Sequence, residues 1–179
     1  LKHEPEHEPE RDEIRALVAH HGLLPLPSEG TFYRGTWRSP EPGAGSAMIG
    51  LYCNDPPSHS LFHRLPVDEV WHFYGGDPLR LILLHPDGRS EDVILGPDFA
   101  AAQHVQLVVP ARTWQAGHVV QGGRYALFGC TMAPGFTSAM FEGGTREMLL
   151  ASHPARAADI ERYACDSAQI TMPRLPEER

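Results

Sequence analysis

An all-β domain, an antiparallel sandwich or barrel, is the fold class this sequence predicts, and three observations carry it. Short runs rich in β-branched and aromatic residues recur through the middle of the chain, clusters of Gly, Pro, Asn and Asp separate them, and no helical periodicity interrupts them before residue 145. Helical spacing is confined to the two ends.

In chain order, residues 3–10 repeat His-Glu-Pro-Glu, too charged and proline-rich to bury a core, so residues 1–10 are expected to form a disordered acidic tail. Ile14, Leu17, Val18 and His21 then fall at helical spacing, with Asp12 as cap and Gly22 as stop, which predicts a short amphipathic helix. His20 and His21 complement the dipole at its end. Strands are expected over residues 31–37 and 47–53, separated by a Pro-Gly-rich loop. Residues 62–77 read as one extended segment ending at Gly75-Gly76. Residues 79–84 and 90–95 flank His85-Pro86-Asp87-Gly88-Arg89 and form a hairpin. Further strands follow at 105–109, 113–120 and 125–132, and short helices at 146–152 and 155–163. Residues 11–165 therefore make a single domain, and residues 166–179, with Pro173 and Pro176 among charges, are expected to fray as a flexible tail.

With 179 residues the chain supports one sizeable core. A net charge of −8 and the lack of a basic run disfavour nucleic acid and anionic membranes as partners and better suit a neutral or cationic small molecule as substrate. No apolar run approaches the roughly 20 residues that span a bilayer, and no signal peptide is visible. Cys53, Cys130 and Cys165 are odd in number, widely spaced and without a CxxC pair, so free thiols in a cytoplasmic setting are expected. Cys130, in an apolar strand, is most simply a small core residue. Phosphate-cradling glycine loops, the Gly-x-Ser-x-Gly elbow and His-Glu-x2-His are all missing, which disfavours nucleotide hydrolysis, serine hydrolysis and zinc proteolysis.

The chemistry-bearing residues concentrate in the segment from His63 to Gly76. Alternation from Glu69 places Glu69, Trp71 and Phe73 on one face and His72 on the other. A carboxylate beside two rings suggests a pocket wall, although each ring taken singly serves core packing equally well. Tyr33, Arg34 and Tyr52 are candidates for the pocket mouth, since an arginine within an apolar strand needs an anionic partner.

The spacing His63-x-Leu65-x3-Glu69-x6-Gly76 resembles the first cupin motif, His-x-His-x3-4-Glu-x6-Gly, with Leu65 in place of the second histidine. Pro110-Ala111-Arg112-Thr113-Trp114-Gln115 is similar to the second motif, with Gln115 where the ligand histidine stands. Glu29-Gly30-Thr31-Phe32-Tyr33-Arg34, the stretch from Asp68 to Pro78, the stretch from Val108 to Ala116 and Gly129-Cys130-Thr131-Met132-Ala133-Pro134-Gly135-Phe136 resemble the DUF985 (cupin_5) family in its order. The resemblance implies an RmlC-like jelly-roll barrel with a short N-terminal helix and C-terminal helices, commonly a homodimer.

It also implies a ligand set of His63, Leu65, Glu69 and Gln115, in which leucine cannot ligate and a glutamine carbonyl is a poor donor to a transition metal. His72 and His118 are substitutes only if a bulge turns them inward. The expectation is therefore no resident cofactor, with His63 moving a proton, Glu69 orienting it, Gln115 holding a substrate oxygen, and Trp71 and Phe73 lining the pocket. That describes a metal-independent isomerase, epimerase or cyclase acting on a small oxygenated metabolite. Its alternatives are a divalent-metal oxygenase or lyase using His63, Glu69 and Gln115, and a binding module without chemistry.

Overall fold

The computed structural model describes residues 8–178, and the first seven residues of the expected N-terminal tail lie outside them. The first helix, α1 (Glu8–His21), starts four residues before Asp12. Pro9 does not prevent this, because proline in a first helical turn gives up no intrahelical hydrogen bond.

Twelve strands follow: β1 (Leu24–Pro25), β2 (Phe32–Arg38), β3 (Ser46–Asn54), β4 (Pro57–Ser58), β5 (Ser60–Arg64), β6 (Glu69–Gly76), β7 (Leu79–Leu84), β8 (Ser90–Leu95), β9 (Gln106–Val109), β10 (Trp114–Val119), β11 (Tyr125–Met132) and β12 (Glu142–Gly143). Two helices close the order, α2 (Arg146–Ser152) and α3 (Ala157–Tyr163). The strands form two antiparallel sheets of a jelly roll. One has seven strands, ordered β1-β2-β3-β11-β6-β9 with β4 on β3, and the other has five, ordered β12-β5-β10-β7-β8.

The segment expected to be one extended run from 62 to 77 is instead divided. β5 belongs to the five-stranded sheet and β6 to the seven-stranded sheet. Leu65 to Asp68, with Pro66 inside, carries the chain from one sheet to the other, because proline cannot donate to a strand ladder. His63 and Glu69 therefore approach one another from opposite walls.

Between the walls, Tyr52, Trp71, Leu81, Leu83 and Phe128 form a buried core. Side chains of alternate parity on β7, Ile82 and Leu84, pack outward with Phe62 against Leu149, Ile160 and Tyr163 of the C-terminal helices. Both faces of β7 are thus covered, which is why its sequence is nearly all apolar and shows no alternation. On the far side, Ile14 of α1 and Leu23 pack on Leu51 and Cys53 of β3. Among the described residues no helix is long and apolar enough to cross a membrane.

The C-terminal segment does not fray. Met172 and Leu175 are buried with Leu26, Tyr33 and Phe141, and Glu178 accepts hydrogen bonds from the backbone N–H and the hydroxyl of Ser138. Its prolines and charges hid two apolar anchors that find a surface only in the folded barrel. Truncating Leu175 to alanine is expected to cost about 2 kcal/mol or more, read as a lower midpoint in denaturant unfolding; an unchanged midpoint would mean that the segment does not contribute to stability.

Candidate functional site

His63 lies on β5 directly opposite Gln115 on β10. This register makes a cross-strand pair whose side chains meet on the inner face of the five-stranded sheet. The Nδ1 of His63 is 2.9 Å from the carbonyl of Leu61. A carbonyl only accepts, so Nδ1 carries a proton, and the neutral form of the ring has its lone pair at Nε2. The Gln115 amide nitrogen donates to that Nε2 at 3.3 Å and to Oε2 of Glu69 at 2.6 Å. The indole N–H of Trp71 is shared between Oε2 of Glu69, at 3.1 Å, and Oε1 of Gln115, at 3.0 Å. These contacts fix the orientation of the amide: its oxygen meets an N–H donor and its nitrogen a carboxylate.

Glu29 completes the group. Its Oε2 is 3.9 Å from Nε2 of His63, and its Oε1 accepts from the Thr31 hydroxyl at 2.6 Å. The loop that carries it turns at Gly30, where φ is +97°, a conformation open to glycine and strained for other residues. The N–H of Leu61 bonds the Glu29 carbonyl at 3.1 Å, so Leu61 holds the glutamate backbone on one side and the histidine ring on the other.

His63, Glu29 and Glu69 are all buried and all face one cavity of about 250 Å³. Tyr33, Leu65, Met48, Phe136, Phe141 and Leu175 supply much of its apolar wall, with Trp37 and Arg38 toward solvent. Burial raises the Glu69 carboxyl above its ordinary value, against the opposing pull of His63 and the Gln115 hydrogen bond. Burial and the nearby Glu177 carboxylate push Tyr33 up to about 12. Burial, reinforced by Glu69, also drives the Cys130 thiol well up, so the sulfur lining this cavity is not a thiolate nucleophile.

Several expected roles are redistributed. Gln115 is buried and both ends of its amide are used internally, so it positions Glu69 and His63 and does not hold a substrate oxygen. Glu69 does not orient His63 directly; the Leu61 carbonyl does, with Gln115 between the two groups. Trp71 serves the network with its N–H while its ring stacks on Phe128 at 4.8 Å, and Phe73 packs on the same core, so neither lines the cavity. Tyr52 is fully buried with its hydroxyl on Ser60 and does not reach the mouth. Arg34 is exposed on the outer face and donates to the carbonyl of His21 at the end of α1. Its anionic partner is the negative end of a helix. Tyr33, one residue earlier, faces the cavity. His72 bonds Thr131 and Gln106, and His118 bonds the Val119 carbonyl and stacks on Tyr163. No bulge turns either histidine inward.

Glu29 and Arg38 were not singled out from sequence. The signal for Glu29 was an acidic residue directly before a Gly-Thr pair at the start of a strand.

The ligand positions that the first cupin motif implies do not fit a metal here. Leu65 lines the cavity without a donor atom, and Gln115 directs amide protons at both His63 and Glu69, the two groups that would have to ligate. Among the described residues no group of three His, Cys, Asp or Glu side chains is arranged to hold an ion.

Raising the Glu69 value has a consequence for stability. Between its ordinary 4.5 and the raised folded value, the folded state binds more protons than the unfolded one, so this group contributes less stability as pH rises. In Glu69→Gln the contribution disappears. The stability of wild type relative to the variant is therefore expected to decline with pH across that window and then level off, as read by urea unfolding at successive pH values. A difference that rises with pH would contradict the direction of the shift.

Comparison with known proteins agrees with this architecture. The family model described as "Cupin superfamily (DUF985)" matches residues 15–143. A crystal structure of a protein from Shewanella oneidensis is 31% identical, covering 83% of this chain and 94% of its own, with a TM-score of 0.74. A hypothetical protein from Leishmania major is 27% identical, covering 85% of this chain and 98% of its own, with a TM-score of 0.75. No curated protein is significantly similar. The family match spans the Glu29 loop and the strands that carry His63, Glu69 and Gln115, and the chain belongs to the cupin superfamily, in its DUF985 family.

Proposed function

We propose that this protein is an enzyme that moves a proton on a small oxygenated metabolite, an isomerase, epimerase or cyclase that works by acid–base chemistry without a resident metal. The observation that supports it best is the convergence of His63, Glu29 and Glu69 on one largely apolar cavity. His63 is the base. Its Nε2 lone pair borders the cavity, because the Leu61 carbonyl occupies Nδ1, and the 3.3 Å contact from the Gln115 amide is what the substrate proton has to displace. That amide contact fits the unprotonated ring, so it favours the basic form at rest and is given up as Nε2 takes the proton. Once the ring has taken a proton, the nearby Glu29 and Glu69 carboxylates stabilise the imidazolium. The ring, which exchanges its proton with solvent, then protonates a neighbouring atom on the same face, or the original carbon once the bound intermediate has turned its other face to His63.

The test requires no prior substrate. Aldoses, ketoses, hydroxy acids and their phosphate esters are incubated with the protein in D2O, and deuterium at carbon is read by mass spectrometry, with elemental analysis of the same preparation. Labelling of at least one compound by metal-free protein supports the proposal. Labelling by none, or activity that follows a stoichiometric metal, overturns it in favour of a ligand-binding module or a metal enzyme, respectively.

A further inference from the structure

Arg38 ends β2 and lines the outer part of the cavity. It arrives there through a bulge: β2 and β3 lose register between Gly35 and Trp37, which shifts the parity of the strand after Tyr33 and re-aims its last residue. One guanidinium nitrogen, Nη1, donates to the Phe136 carbonyl at 2.8 Å. The Nε is buried and has no hydrogen-bond partner. Glu29, Glu69 and Glu177 line the same cavity, yet among the described residues none forms an ion pair with Arg38. A cationic donor held by one carbonyl and otherwise unpaired at the edge of a cavity is costly unless something else satisfies it. With Nη1 on a carbonyl and Nε covered, Nη2 is the guanidinium nitrogen left to meet a carboxylate or phosphate oxygen.

We infer that Arg38 is an anion subsite: the substrate carries a carboxylate or phosphate that docks on the Arg38 guanidinium while its reacting carbon reaches His63, an assignment that rests on the proton-transfer reading above. The three carboxylates repel that group from the rest of the wall, so a single cation among them also decides which end of the molecule enters first.

Glycerate, glycerol 3-phosphate and glycerol share a three-carbon oxygenated frame and differ in the charged group. In calorimetric titrations at least one anion is expected to bind the wild type more tightly than glycerol does. Arg38→Gln should weaken that binding by about ten- to hundredfold, Arg38→Lys should restore part of it, and glycerol should not distinguish the three proteins. The anion preferred identifies carboxylate or phosphate. Anions that bind no better than glycerol, or that bind Arg38→Gln and Arg38→Lys as well as wild type, overturn the assignment. The deuterium experiment separates the two claims. Labelling of neutral compounds by wild type and Arg38→Gln alike keeps proton transfer and removes the subsite. Binding of an anion that depends on Arg38, with no compound labelled, keeps the subsite and removes proton transfer.

Discussion

His63→Gln is expected to lower the rate of deuterium labelling by about 10²-fold or more while the protein remains folded. The imidazole is the nitrogen base in the cavity, and the Leu61 carbonyl at Nδ1 directs its lone pair to Nε2. Glutamine keeps a polar side chain of intermediate length but offers no base. The structural cost should be small by comparison. The ring stacks on Phe141 at 5.3 Å, a contact worth about 0.5–1.5 kcal/mol, so a modest drop in melting temperature accompanies the loss of activity. Full labelling by a folded variant would remove His63 from the reaction, and would leave Glu29, the carboxylate beside Nε2, as the residue to replace next.

Trp71→Ala should produce the largest loss of stability. The side chain is 2% exposed and stacks on Phe128, with Tyr52 at 6.3 Å, so its removal leaves a cavity between the sheets and costs about 3–5 kcal/mol. For a chain of this length each kcal/mol lowers the melting temperature by about 2–4 °C. A second loss is superimposed, because Glu69 and Gln115 share the indole N–H. Trp71→Phe isolates it: the ring is largely kept, the donor goes, and about 1–3 kcal/mol is expected. The two variants together distinguish packing from the network. If Phe restored wild-type melting, the shared hydrogen bond would carry no net stability, and Trp71 would be a core ring whose N–H matters only for aiming Gln115.

How far the sequence could be read depended on how local each signal was. Gly88 and the apolar runs on either side of it made the hairpin of β7 and β8 legible, because turn chemistry and strand propensity act over a few residues. Glu69 and Trp71 were placed on one face by alternation, and both do point inward. The same rule placed His72 and His118 on the opposite faces unless a bulge intervened, and neither lines the cavity. Beyond such local rules the text became ambiguous. The start of α1 was set too late because residues 3–10 are charged and proline-rich and offer no apolar periodicity. The last dozen residues looked frayed because Met172 and Leu175 have no apolar neighbours in sequence, only across the barrel.

What the sequence determined by itself was the all-β class, the family resemblance and the identity of His63, Glu69 and Gln115 as residues that belong together. Tertiary structure alone decided what each of them does. Pro66 splits the segment between two sheets, so His63 meets Glu69 only across the interior and through an amide. The Glu29 loop is pinned to Leu61, more than 30 residues away in sequence. A bulge invisible to strand alternation turns Arg38, not Arg34, toward the cavity. Propensity and periodicity are encoded over a few neighbouring residues, whereas burial, hydrogen-bond partners and the sharing of a cavity are set by pairs far apart in the chain.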